Sequence, residues 1–350
     1  MKYTVNKLNE AAMEAARARW DAVAKPLHSL GRLEDMIVRV AGIQETAEVR
    51  LAPRCALVFC ADHGVVGEGV TQSGQEVTAL VARSIAEGSG NVNLMARAAQ
   101  ADVFAVDMGM AADVDHPALI RRRIGRGTRD LAQGPAMTRE EAIRALQTGV
   151  DLAGDMVSRG YRLIATGEMG IGNTTACAAM CCALLGLSPE EAVGRGAGLS
   201  DAGLARKREA VRRALAVNRP DPADPLDALA KLGGFEIAGM AGAFLGGMSH
   251  RAPVVIDGAI SAAAALVAAR LCPEARDFML PSHLSREQAA KAFMEAMRLE
   301  PVIRADMALG EGTGAIALMP MLDMALAVYG GPHTFDRLGM AAYSPQGGAT

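Results

Sequence analysis

Leu163-Ile-Ala-Thr-Gly-Glu-Met-Gly-Ile-Gly-Asn-Thr-Thr175, with the apolar run Ala176 to Leu187 behind it, is the stretch whose reading decides the fold. Leu163 to Ala165 reads as a short strand, Thr166 to Thr175 as a glycine-rich turn, and Ala176 onward as a buried helix. A strand that feeds such a turn and then a helix is one unit of a parallel sheet. Four more β-rich runs stand apart from it: Ala56 to Cys60, Val103 to Val106, Pro253 to Ile256 and Asp277 to Leu280. Between them lie helical patterns such as Glu76 to Glu87, Arg139 to Ser158, Asp201 to Ala216 and Ala259 to Leu271. The expected fold is α/β, a doubly wound parallel sheet, with residues 36–285 as its large Rossmann-like domain. Neither end of the chain carries a strand pattern. Helix, a Pro26 break and a loop containing Gly31 are expected up to about residue 35, and a further helix over residues 286–300, closed by Pro301. Residues 1–35 and 286–350 are expected to make a small helical domain built from both termini.

Composition narrows the function. Of 350 residues, 51% are hydrophobic and 21% charged, which excludes a disordered chain. A net charge of −3 argues against a nucleic-acid partner. Met1 to Trp20 mixes Lys2, Lys7, Glu10, Glu14 and Arg17 among its apolar residues, so it reads as neither a signal peptide nor an anchor. The run from Ala176 to Leu187 is too short to span a bilayer, so no membrane partner is expected. The six cysteines form no CxxC pair and the six histidines no HExxH pair. Reduced thiols, a cytoplasmic location, no metal and no cofactor are expected.

The chemistry gathers where the strands end. Four of the runs finish on Asp62-His63, Asp107, Gly167-Glu168 and Asp257, and the fifth leads into Ser282-His283. Ligands of open α/β sheets collect beyond those carboxyl ends. In the decisive stretch, Gly167, Gly170 and Gly172 let backbone approach a ligand closely. Amides at the helix start, with the Thr174 and Thr175 hydroxyls, suit a phosphate. The spacing from Gly167 to Gly172 mimics a P-loop, but Asn173 stands where the lysine belongs, which argues against an ATPase. Lys207 is the candidate replacement. An anionic Glu168 is unfavourable beside phosphate, so it points to ribose hydroxyls or an incoming base. Gly194-Arg-Gly-Ala-Gly198 offers a second place for backbone contact, through Gly196 and Gly198. In Leu309-Gly-Glu-Gly-Thr-Gly-Ala315, glycines flank Glu311, and apolar Leu309 and Ile316 back it. Such a carboxylate suits proton abstraction. The competing reading is a glutamate that complements a helix dipole. Asp62 and His63 are adjacent on a strand end and face opposite ways, so Asp62 reads as structural rather than as half of a dyad.

Taken together, these segments resemble the family of nicotinate-nucleotide–dimethylbenzimidazole phosphoribosyltransferases, which build the lower nucleotide of cobamides. The matching segments run in order from Ser29-Leu-Gly-Arg-Leu33 through Ala61-Asp-His-Gly64, the Gly167–Thr175 loop, Gly194-Arg-Gly196 and Asp201 to Lys207, to Leu309-Gly-Glu-Gly-Thr-Gly314. The resemblance implies that Glu311 is the general base. It places phosphate contacts on Gly167, Glu168, Met169, Gly170, Ile171, Gly172, Asn173, Thr174, Thr175, Gly196, Gly198 and Lys207, with Asp257 and Glu168 toward the ribose, the nicotinate or the acceptor. Thr71, Gln72, Ser73, Gln75 and Leu309 would line the acceptor pocket. The implied partners are nicotinate mononucleotide, an aromatic acceptor and a second chain, as a homodimer or as a heterodimer with a paralogue. Three departures stand out. Thr71-Gln-Ser-Gly74 replaces a Ser-x-Tyr-Pro pattern, Ala308 an arginine, and Ser285-Arg-Glu-Gln288 an acidic-Pro-Gly-His run. They open the acceptor to dimethylbenzimidazole, another benzimidazole, a purine or a phenol. The alternative function is a nucleotide-binding subunit that activates a paralogous partner.

Overall fold

β1 (Arg54–Ala61) is buried along its whole length, and its side chains divide between two cores. Cys55, Leu57, Phe59 and Ala61 pack into one, while Ala56, Val58 and Cys60 pack into the other. Period-two alternation along the apolar run Cys55 to Ala61 produces this division, because both faces of a parallel sheet are covered by helices. The computed structural model describes residues 1–344; positions 345–350 of the expected C-terminal segment lie outside the described residues.

The other strands are β2 (Asp102–Gly109), β3 (Ile120–Arg121), β4 (Leu163–Met169), β5 (Val254–Ile256) and β6 (Met279–Pro281). All pair in parallel, in the order β3-β2-β1-β4-β5-β6. Helices Arg139–Ser158, Asn173–Leu185, Phe235–Ser249 and Ala259–Leu271 cover one face. Helices Arg32–Gln44, Glu76–Ala86, Asn91–Ala98 and Thr313–Tyr329 cover the other. The sheet is doubly wound. From β1 the chain builds outward to β2 and β3, then returns to place β4 on the other side of β1. The resulting switch point opens a crevice at the carboxyl ends of β1 and β4.

Some local expectations change. β3 pairs through two residues and is a strand that no sequence pattern marks. The expected strand over Asp277 to Leu280 begins instead as a tight 3₁₀ turn, Pro273–Phe278, and pairs only from Met279. The helix expected over 286–300 is confined to Ala289–Ala296. The N-terminal helix and the segment after Thr313–Tyr329 meet: Ala24 N donates to the His333 carbonyl at 3.0 Å, and the Trp20 and Tyr329 rings lie 5.0 Å apart. Among the described residues no helix is long and apolar enough to cross a membrane.

Candidate active site

The end of β4 and the turn after it are held by close backbone approach. A Cβ at Gly167 would lie 2.6 Å from the Glu311 carbonyl oxygen, and one at Gly170 would collide with the Ala61 carbonyl. Gly172 has φ +100° and starts the helix Asn173–Leu185. Glycine is required here because a side chain would either clash or adopt a left-handed backbone. Asn173, in the place of a P-loop lysine, donates its side-chain amide to Glu168 Oε2.

Gly310, Glu311 and Gly312 are three consecutive left-handed residues, with φ of 87°, 60° and 90°. For Glu311 that conformation costs about 1–2 kcal/mol and needs external support. Asp257, at the end of β5, supplies it: Oδ1 accepts from Ala315 N at 3.0 Å and Oδ2 from Gly312 N at 3.3 Å. The Glu311 carboxylate then reaches the start of the helix Asn91–Ala98. There Oε1 accepts from Asn91 Nδ2 at 3.2 Å and Oε2 from Val92 N at 3.1 Å. Both oxygens are therefore oriented before any substrate arrives. Burial, and then the nearby Asp257, push the Glu168 carboxyl up to about 8, which favours the protonated form, able to donate one hydrogen bond while Oε2 accepts from Asn173.

Two adjoining cavities use this framework. A cleft of about 320 Å³ brings together Glu168, Asn173, Asp257, Ala308, Leu309 and Glu311. A smaller cavity of about 100 Å³ brings together Thr71, Gln72, Ser73, Arg195, Gly196 and Lys207. Gly170, Ile171, Asn173, Thr174, Gly196 and Ala197 line both. Lys207 is 1% exposed, and its Nζ donates to Thr174 Oγ1 at 2.7 Å. Burial lowers its ammonium to about 8, with Glu287 opposing the shift. A roomier depression beside Arg129, Arg139 and Lys231 lacks a comparable cluster, because those cations pair with Glu141, Asp224 and Asp227.

The expected residues are distributed unevenly. Met169, Gly170, Ile171, Asn173, Thr174 and Gly196 reach the cleft with Glu311, while Gly167 and Thr175 are packed beneath it. Thr71, Gln72 and Ser73 line the smaller cavity beside Lys207 and do not reach the cleft that holds Glu311. Gln75 turns away, donating its amide to the His63 carbonyl at 2.9 Å. Gly198 (φ +98°) carries a carbonyl that accepts from the Gln72 amide. Leu309 does not back Glu311 in a buried core: it is 53% exposed at the cleft rim, whereas Ile316 is buried. Asn91, Val92 and Thr78 escape a reading of the sequence, since each acts from an ordinary helix start or helix face. Glu287 lies within a segment that stands out in the sequence only for departing from a pattern.

A parallel sheet with glycine turns and clustered carboxylates at its switch point defines the class, an α/β enzyme. A family model described as phosphoribosyltransferase, DBI_PRT, matches residues 5–340. The chain is 46% identical over 338 residues to the nicotinate-nucleotide–dimethylbenzimidazole phosphoribosyltransferase of Desulforudis audaxviator, covering 96% of each chain. It is 43% identical over 342 residues to the enzyme of the same name from Ruminiclostridium cellulolyticum, covering 98% of this chain and 97% of that one. The crystal structure of CobT from Thermus thermophilus superposes with a TM-score of 0.89 at 43% identity, over 95% of this chain and 99% of the other. The chain belongs to the nicotinate-nucleotide–dimethylbenzimidazole phosphoribosyltransferase family and is a pentosyltransferase.

Proposed function

We propose that the chain moves 5-phosphoribose from nicotinate mononucleotide to an aromatic lower-ligand base of a cobamide, releasing nicotinate. The observation that carries this reading is the pair of joined cavities, one with a buried cation and one with an oriented carboxylate. The phosphate sits by Lys207, Thr174 and Gly196, and the ribose passes the shared Gly170–Asn173 wall. The acceptor lies between Glu311, Glu168 and Leu309. Its ring nitrogen, or a phenol oxygen, attacks the anomeric carbon as the glycosidic bond to nicotinate breaks. The bonding pair returns to the pyridinium nitrogen, and the acceptor proton passes to Glu311. General-base assistance of this kind is worth ~10²–10⁴-fold.

Ala308 lines the cleft with only a methyl group, which supports an acceptor range wider than dimethylbenzimidazole. The test is to incubate the purified chain, without any partner, with nicotinate mononucleotide and a panel of benzimidazoles, purines and phenols, and to weigh the products. Transfer to at least one acceptor is expected. Nicotinate release that needs a paralogous protein would replace this reading with that of an accessory subunit. A dimer in the cytoplasm is also our reading. Its supports are the exposed Leu80, Leu94 and Met324 on three successively packed helices, and six free, buried cysteines. Light scattering tests the dimer.

A further inference from the structure

The Ala61-Asp62-His63 segment lines neither cavity, yet it is buried directly behind the turn that both share. The parallel register sets up the alignment: Cys60 pairs with Met169, and the segments that continue the two strands, 61–63 and 170–172, stay side by side. Ala61 presents its carbonyl to Gly170, where only a glycine fits. His63 lies under Gly172, its Cβ 3.0 Å from where a Gly172 Cβ would be. Between them, Ile171 N donates to Thr78 Oγ1 at 3.1 Å, and Thr78 is fully buried beside the Asp62 carboxyl. Thr78 does not close an ordinary hydrogen bond onto Asp62 Oδ1, which has no partner.

His63 is fixed from behind. Its Nε2 is 2.7 Å from Oε1 of Glu236, both side chains are 0% exposed, and Glu236 lies in the first turn of the helix Phe235–Ser249. Asp62 Oδ2 accepts from Ala111 N at 2.8 Å. His63 Nδ1 and Glu236 Oε2 are left without partners. A core whose only task was packing would be better served by apolar side chains at these positions. Full burial also excludes contact between His63 and substrate, so the Asp-His pair has no direct part in the chemistry.

We propose that Asp62, His63 and Glu236, together with Thr78, form a buried brace that presets the Gly170–Gly172 turn for the donor nucleotide, with Thr78 and His63 as positioning residues. The proposal rests on the phosphate reading given above. Thr78→Val keeps the shape of the side chain and removes the acceptor for Ile171 N, whereas Thr78→Ser retains it. The full-length variant Thr78→Val should raise KM and Kd for nicotinate mononucleotide about tenfold, with kcat at saturation near wild type. Thr78→Ser should restore both constants, a rescue that a merely structural loss of melting temperature would not show. In the wild-type protein the Ile171 amide should exchange slowly with deuterated solvent before ligand is added, a measurement that needs no variant to fold. A wild-type chain that does not bind nicotinate mononucleotide by calorimetry overturns the phosphate reading and the brace together. Wild-type binding that Thr78→Val leaves unchanged, equal losses in the Val and Ser variants, or fast exchange at Ile171 overturns the brace alone.

Discussion

The two carboxylate oxygens of Asp257 hold Ala315 and Gly312, the residues that follow Glu311 into its helix. An acidic residue at the end of β5 thus fixes the backbone of an acidic residue contributed by a segment more than fifty positions later. Asparagine at 257 keeps one accepting oxygen but turns its amide toward a backbone N–H, so one hydrogen bond gives way to repulsion between two donors. We expect Asp257→Asn to lower kcat by about 10²-fold with nucleotide KM near wild type, because a small displacement of a reacting group has that effect. A rise in KM without a fall in kcat would place Asp257 on the ribose instead. Steady-state kinetics with both substrates varied separates the two.

Glu311→Gln retains shape and one accepting oxygen for Val92 N, and the Asn91 amide can turn its own oxygen toward the new NH2, while basicity is removed. Nicotinate mononucleotide should bind as before and the transfer rate should fall by ~10²–10⁴-fold. A near-normal rate at saturating acceptor would remove Glu311 from the proton transfer.

Lys207 and Glu168 both titrate near pH 8, from opposite starting points. Below that pH the lysine is charged and the glutamic acid neutral, and both conditions favour a bound phosphate. As pH rises through 8, the lysine loses its charge and the carboxyl acquires one. Nucleotide affinity should therefore fall by about tenfold between pH 7 and pH 9, measured by calorimetry. Lys207→Ala should weaken binding roughly 10- to 150-fold at pH 7 and flatten that slope. Unchanged affinity in this variant would assign the phosphate to another cation.

Gly167 tests the seam between the two motifs. An alanine methyl would press on the Glu311 carbonyl oxygen at 2.6 Å and on Gly312 N at 2.8 Å. Both are backbone atoms that cannot swing aside. Gly167→Ala should cost about 1–3 kcal/mol of stability, seen as a lower melting temperature, and should depress kcat along with it.

Much of this architecture could be read from the chain. The glycine turn after β4 announces itself because close approach demands glycine, although the strand runs on to Met169 and the helix begins at Asn173, leaving only Gly170–Gly172 as turn; β1 does so because seven buried positions in a row, Cys55 to Ala61, need β-rich apolar residues. Other parts left no local trace. The helix Phe235–Ser249 is buried on nearly every side, so no amphipathic period marks it. β3 is too short for any pattern to register. The brace provided by Asp257 is invisible for a different reason: its partners are backbone amides, which every residue but proline possesses. Thr78 and Glu236 likewise act through single contacts across 93 and 173 positions. The placement of Thr71–Ser73 beside Lys207, rather than beside Glu311, follows from how the 64–75 segment packs on the helix Asp201–Asn218, where Arg206 donates to the Gly69 carbonyl, and spacing alone does not encode this.

The pairing of β1 with β4 carries a consequence for how this protein tolerates change. Because Cys60 lies opposite Met169, the order of residues along one strand sets which atom meets which on the other. Deleting one residue anywhere between 54 and 60 leaves every cavity-lining side chain in place in the sequence. It nonetheless slides Ala61, Asp62 and His63 by about 3.3 Å along Gly170, Ile171 and Gly172, and exchanges the side chains of the two cores upstream. Substitutions in this strand are thus graded injuries, whereas a change in its length is a frame error written in three dimensions.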